Sequence, residues 1–386
     1  MRKRVAIVNQ RYGIEINGGS EQHTRQLAER LISYYEVEVL TTCALEYITW
    51  ENFFPEGLQS INRVSVRRFP VDKPRDIKHF NETTERLLKS NSVTEDAWVD
   101  EQGPLCTALI KYIWEQKDKY DVFIFVTYLY YLTVRGINIV KDKAILIPTA
   151  HDEFPIYFSI YKQVFTIPRA IAFNTKEEQN FIYSLFHNEY IPSDILGVGI
   201  EIPDRINPGI VKRKYNIKEY IVYVGRIDES KGCLELFAQF IRYKKENPSN
   251  LKLLLIGKSV MEIPRHSDIL SIGFVIEEEK YNVMASAKML VLPSLYESLS
   301  IVTLESLALG IPVILNGNCE VLVGHCRKSN AGLYYKNYYE FAAAINYLLS
   351  HQKEYTTMQL NGNKYVKENY TWDIILNKLR KLIDLV

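Results

Sequence analysis

Short apolar runs alternate along the whole chain with stretches of helical spacing, and most of the runs end in a glycine-bearing or polar loop. The first run, residues 4–9, leads into the loop Asn17-Gly18-Gly19-Ser20. A helical pattern over about residues 21–33 then puts Leu27, Ala28 and Leu31 on one face, and residues 37–41 form the next strand. Strand, crossover helix and strand make a βαβ opening of Rossmann type. It lacks the full GxGxxG fingerprint, so a nicotinamide dinucleotide is poorly supported. Gly18 and Gly19 allow the backbone to approach a ligand and leave helix N–H groups pointing at it; a simple tight turn is the bland alternative. Val122–Val126, Ala144–Ile147 and Ala170–Phe173 continue as buried strands, and residues 105–114 have a helical pattern. Thr175, with Glu178 three residues on, predicts a capping box at a helix start. The rest of residues 42–118 carries no clear period.

Leu196-Gly197-Val198-Gly199-Ile200 is glycine-punctuated, and residues 201–209 resemble a linker. The alternation then resumes: Tyr220–Val224, residues 251–256, residues 269–272 and Met289–Leu292 are strands, with helices over 234–243 and 277–287. The stretch 291–313 joins a buried strand, a polar loop begun by Pro293-Ser294, a helix and a Gly310-Ile311-Pro312 exit into Val313-Ile314-Leu315. Two doubly wound Rossmann-like α/β domains facing across a cleft are expected, residues 1–203 and 204–370. The amphipathic helix Trp372–Leu385 is expected to pack back on the first of them.

Composition narrows the class. The chain has 386 residues, 47% hydrophobic and 24% charged, enough for two ordinary cores. Lys+Arg 47 against Asp+Glu 46 gives no global charge for nucleic acid. The N-terminal apolar run is too short for a signal peptide, and residues 120–134 fall short of a membrane span. Five scattered cysteines without a CxxC pair fit a reducing cytoplasm. A local basic excess at residues 63–78 has two readings: a solvated surface, or weak peripheral contact with an anionic acceptor or the inner face of a membrane. The first is preferred.

Candidate chemistry gathers at strand ends. Arg226 and Lys231 flank the loop Gly225-Arg226-Ile227-Asp228-Glu229-Ser230-Lys231-Gly232, a setting suited to a diphosphate. His151 lies in the polar cluster just past Ala144–Ile147, where open α/β sheets place ligands. Glu297 and Glu305 are eight residues apart, roughly 12 Å if the stretch were all helix, beyond the reach of a glycosidase acid–base pair. They suit two parts of one long ligand instead. Glu305, among Leu304, Leu307 and Leu309, also fits a buried structural carboxylate. No Asp-x-Asp, HExxH or GxSxG occurs, so metal and serine-hydrolase chemistry have no support, and charge on a leaving group would fall to Arg226, Lys231 and backbone N–H groups.

Glu297-Ser-Leu-Ser-Ile-Val-Thr-Leu-Glu305, with Leu292-Pro293-Ser294 before it and Ala308-Leu309-Gly310-Ile311-Pro312-Val313 after, resembles the Glu-x7-Glu signature of family-four retaining glycosyltransferases of the GT-B fold (glycosyl transferases group 1). The segment 224–232 is similar to their second motif, and Gly18-Gly19, His151 and Val198-Gly199-Ile200 fall in the expected order. The resemblance implies metal-independent transfer of a sugar from a nucleotide-sugar, a UDP-sugar and UDP-glucose first, to a carbohydrate or lipid-linked acceptor, with no resident cofactor. It implies catalytic roles for Glu297, His151, Arg226 and Lys231. Donor contacts would come from Gly18, Gly19, Gly225, Gly257, Phe274, Leu299, Ser300, Ile301 and, at the ribose, Glu305. One departure stands out: the family has glycine where this chain has Ser298 and Ser300, side chains that would narrow the sugar pocket or add hydrogen bonds. A GT-B-fold epimerase or phosphorylase and a non-catalytic nucleotide-sugar-binding subunit are the alternatives.

Overall fold

A computed structural model describes residues 2–16, 18–90 and 93–386; Met1, Asn17 of the glycine loop, Asn91 and Ser92 lie outside the described residues. The chain forms two compact units, residues 1–197 with 375–386, and residues 198–374. It divides after Gly197, ahead of the linker-like stretch at 201–209. The physical reason is that residues 198–200 are held inside the second unit: the Ile200 N–H donates to the Tyr370 carbonyl at 2.7 Å, and a Cβ on Gly199 would lie 2.3 Å from the Trp372 ring.

The first unit carries eight strands: β1 (Arg4–Val8), β2 (Glu36–Thr42), β3 (Gly57–Ile61), β4 (Val64–Phe69), β5 (Val122–Val126), β6 (Ala144–Ile147), β7 (Ala170–Phe173) and β8 (Ser193–Ile195). Their order is β3-β4-β2-β1-β5-β6-β7-β8, and only the hairpin β3–β4 is antiparallel. All five residues of β5 are buried, as parallel strands covered on both faces require. The last helix, Trp372–Leu385, serves this unit from residue 375 on: Lys378 Nζ donates to the Ile195 carbonyl at 2.7 Å and Lys3 Nζ to that of Ile383 at 2.9 Å. Thr175 caps its helix through the Glu178 N–H. The Glu178 carboxylate also accepts the Ala150 N–H at 2.6 Å, tying that helix to the loop that bears His151. Burial pushes Glu178 up to about 8, against the pull of the N–H groups it accepts.

Part of the basic stretch at 63–78 is engaged within the first unit, while Arg63, Lys73 and Lys78 are exposed. Arg68 is buried beneath the Phe54 ring, 3.9 Å from its centroid, and donates to the Thr42 and Tyr12 carbonyls. Arg67 pairs with Glu38 at 2.7 Å and Lys73 with Glu101 at 2.8 Å, while Arg75 donates to the Tyr47, Ile48 and Gln102 carbonyls. The hairpin β3–β4 and the helix Glu95–Gln102 are thus tied to their surroundings by cation contacts, and the helix Ile77–Ser90 lies between them in the chain.

The second unit carries β9 (Tyr220–Val224), β10 (Lys252–Ile256), β11 (Ile269–Ser271), β12 (Met289–Leu292), β13 (Val313–Asn316) and β14 (Gly332–Tyr335), all parallel, in the order β11-β10-β9-β12-β13-β14. Its core joins Ile221, Leu254, Leu290 and Ile314 from the sheet to Phe237, Phe341 and Ile345 from the covering helices. Each such buried side chain contributes about 1.5–3 kcal/mol. Among the described residues no helix is long and apolar enough to cross a membrane.

Arg68→Met keeps the buried stem and removes the guanidinium, leaving the Thr42 and Tyr12 carbonyls without their donors. A loss of about 2–4 kcal/mol in the stability of the first unit is expected in denaturant unfolding.

Candidate functional site

In an open parallel sheet the strand order reverses at one place, and the loops leaving the carboxyl ends of the two strands there diverge to leave a ligand crevice. In the second unit that place lies between β9 and β12, paired through Ile221–Met289 and Val222–Leu290. The loop after β9 carries Gly225, Arg226 and Lys231; the loop after β12 carries Glu297 through Ser300. Glycine lets neighbouring strand ends close up beside them. A Cβ on Gly257, at φ +138°, would lie 1.9 Å from the Gly225 carbonyl oxygen, and one on Gly232, at φ +76°, would lie 2.5 Å from that of Pro293.

Lys231 and Glu297 join the two loops, with Nζ 2.8 Å from Oε1. Both remain partly open to solvent, so the pair is weak and either partner is available to a ligand. Asp228 organises the turn before Lys231. It caps the turn by accepting the Lys231 N–H at 3.0 Å, accepts the Ser230 hydroxyl at 2.6 Å and pairs with Arg226 Nε. Burial alone would raise its carboxyl, yet the Ser230 and Arg226 hydrogen bonds, the Arg226 charge and the Lys231 N–H together hold it below the usual range. The Tyr223 hydroxyl donates to the Arg226 carbonyl at 2.7 Å and fixes the other end of the loop.

The loop after β12 ends at the helix Ile301–Ala308. Ser300 precedes that helix at φ +65° and ψ +77°, a left-handed conformation that costs a non-glycine residue about 1–2 kcal/mol. Its hydroxyl is exchanged with that of Thr303 at 2.8 Å. Glycine suits this backbone, which accounts for the departure seen in the sequence: the serine side chain is turned onto the helix start. Glu305, within the helix, is buried, and its Oε1 accepts from Lys280 Nζ at 2.7 Å and the Tyr281 hydroxyl at 2.9 Å. Burial, with the Glu305 charge beside it, pushes the Tyr281 hydroxyl well up. The two glutamates thus pair with separate cations, Glu297 with Lys231 and Glu305 with Lys280. Phe274, after β11, is exposed.

The remaining predicted residues lie in the first unit. His151 follows β6 and is half-buried, with Nδ1 3.7 Å from Glu153 Oε1, which also accepts the Tyr128 hydroxyl at 2.7 Å. Thr149 and Thr127, at the ends of β6 and β5, both have left-handed φ, +51° and +72°, a concentration of backbone strain next to His151. Gly18 and Gly19 are less alike than the sequence suggests. A Cβ on Gly18 would lie 2.0 Å from Glu21 Oε2, so this close approach is to the chain's own buried Arg11–Glu21 pair, whereas Gly19 has open space.

Five residues of the second unit escaped the sequence reading. Lys280 and Tyr281 hold Glu305; the lone lysine after Glu277-Glu278-Glu279 was the signal for them. His325, Tyr365 and Tyr370 form a buried chain behind the loop: His325 Nε2 lies 2.6 Å from the Leu299 carbonyl, His325 Nδ1 3.1 Å from the Tyr365 hydroxyl, and that hydroxyl 3.1 Å from Tyr370's. A histidine in the apolar run Val321–Val323 and beyond was the visible clue.

Two parallel-sheet units of this make define the GT-B class, and the chain matches solved structures of it over essentially its whole length. It superposes on sucrose-phosphate synthase from Thermosynechococcus elongatus with a TM-score of 0.71 at 16% identity, covering 99% of this chain and 98% of that one. It superposes on Anabaena HepE in complex with UDP and glucose with a TM-score of 0.71 at 13% identity, over 100% of both chains. Residues 218–351, within the second unit, match the family described as Glycosyl transferases group 1. An uncharacterized glycosyltransferase of Methanocaldococcus jannaschii is 25% identical over 241 residues, 57% of this chain and 59% of the relative. The chain thus spans little more than half the length of that relative.

Gly257→Ala is expected to destabilise the second unit by more than about 2 kcal/mol, because its Cβ meets backbone. Gly273→Ala, with nothing within 4 Å, should cost only the roughly 1 kcal/mol of its left-handed φ. Comparable losses at both positions in thermal unfolding would contradict the close-packed strand ends. Asp228, held low, contributes stability that is complete above its unfolded value near about 4 and is lost as pH falls through the folded value. Asp228→Asn is therefore expected to flatten the acid limb of an unfolding-against-pH curve.

Proposed function

We propose that the chain is a retaining, metal-independent glycosyltransferase that moves a sugar from a nucleotide-sugar, a UDP-sugar, to a hydroxyl of a carbohydrate or lipid-linked acceptor in the cytoplasm. The observation that carries the reading is the Lys231–Glu297 pair, 2.8 Å long, at the reversal of strand order in the group 1 domain. In the transfer the bond from the anomeric carbon to the diphosphate oxygen breaks and one to the acceptor oxygen forms, while the acceptor's proton passes to the departing diphosphate. Charge builds on the departing diphosphate. Lys231, once released from Glu297, and Arg226 neutralise it without a divalent ion. Glu297 is then free to accept hydroxyls of the donor sugar, and Glu305 those of the ribose. His151 is assigned to the sugar and acceptor. Support for uridine comes from HepE, solved with UDP and glucose, and from an E. coli structure described as trehalose-6-phosphate bound with UDP-2-fluoro glucose, at a TM-score of 0.70 and 13% identity.

A thermal-shift screen of nucleoside diphosphates and nucleotide-sugars, run with EDTA, is expected to give its largest shift with UDP or a UDP-sugar. Lys231→Ala and Glu297→Ala should each lower transfer at least about 100-fold while leaving the unfolding temperature nearly unchanged, since the pair is partly exposed. Full activity in both variants would refute the reading. Nucleotide binding with no turnover would favour a non-catalytic subunit.

A further inference from the structure

We propose that His325 is a positioning residue: by holding the Leu299 carbonyl it turns the Ser300 N–H toward the donor's phosphate or sugar oxygens. The inference rests on the donor-site reading above.

The carbonyl oxygen of Leu299 can only accept, so His325 Nε2 carries the proton of the 2.6 Å contact. Nδ1 lies 3.1 Å from the Tyr365 hydroxyl, and that hydroxyl 3.1 Å from Tyr370's. Tyr370 is itself anchored by its backbone, whose carbonyl takes the Ile200 N–H. His325 is fully buried, and Leu299, Tyr365 and Tyr370 nearly so, so water does not compete for these bonds.

A trans peptide is planar, and its C=O and N–H point in opposite directions. Fixing the Leu299 oxygen on His325 therefore aims the Ser300 N–H away from His325. Ser300 is itself only 6% exposed, and among the described residues no backbone carbonyl takes its N–H. A buried donor without an acceptor is costly and marks a place for a ligand oxygen. The same residue sits at φ +65°, a strained conformation that lasts only where its surroundings impose it. His325 imposes it from one side, and the Ser300–Thr303 hydroxyl contact from the other.

The test compares His325→Phe with His325→Gln, whose side-chain amide replaces Nε2–H as a donor to Leu299. Amide exchange of residues 295–304 is followed without ligand, and UDP binding by calorimetry. His325→Phe should speed exchange of the loop about tenfold and raise the Kd for UDP about tenfold, and His325→Gln should restore both. Equal exchange in His325→Phe and wild type, or Phe and Gln variants that behave alike, would overturn the proposal. If His325→Phe does not fold, Tyr365→Phe carries the test, since it removes one hydroxyl from the chain; unchanged loop exchange there would also overturn it. If the exchange contrast appears but the wild type takes up no UDP, the donor-site reading falls while the hold of His325 on the loop stands.

Discussion

The parallel pairing of β9 with β12 is the constraint on which the second unit's chemistry depends. Strands that are distant in sequence become neighbours there, and β10 and β11 are added on one side while β13 and β14 are added on the other. The loops that follow β9 and β12 must therefore part from each other, one toward each half of the sheet. Lys231 and Glu297, 66 residues apart in the chain, meet across that parting. Neither the arginine–lysine loop nor the Glu-x7-Glu stretch forms a site alone. The sheet order brings them together, and the close approach of Gly257 to Gly225 and of Gly232 to Pro293 leaves no slack in the result.

Within that frame, cation–carboxylate pairs differ in how firmly they are held. Lys280–Glu305 is nearly closed off from water and reinforced by Tyr281; breaking it would strand a buried charge. Arg226–Asp228 is built into a capped turn. Lys231–Glu297, more open to solvent than Lys280–Glu305, is the weaker of those two pairs.

What the sequence made legible follows from which interactions are local. Fully apolar runs such as Val122–Val126 and Met289–Leu292 announce buried parallel strands, and the glycine loops at 225–232 and the 291–313 stretch announce the crevice between them. Residues 67–75 were opaque because their order comes from long-range cation contacts: Arg68 reaches Tyr12, Arg67 reaches Glu38, and Arg75 reaches Tyr47 and Gln102. No period along the chain encodes such contacts. Glu305 was legible as a carboxylate needing partners, but not which partners, since Lys280 comes from a helix 25 residues away. The twin glycines at 18 and 19 read as one motif, although only Gly18 has a neighbour that forbids a side chain.

Ser300 shows how the remaining departure from the family pattern is accommodated. Glycine would enter the left-handed region without strain, but it would also leave that turn free to sample other conformations. A serine there pays a conformational penalty and in return carries a hydroxyl that engages Thr303 in the first turn of the helix. Together with the His325 contact on the preceding carbonyl, this confines the loop from two directions. Behind the turn stand the buried His325, Tyr365 and Tyr370, so Ser300 and His325, although on different elements, bear on one peptide group.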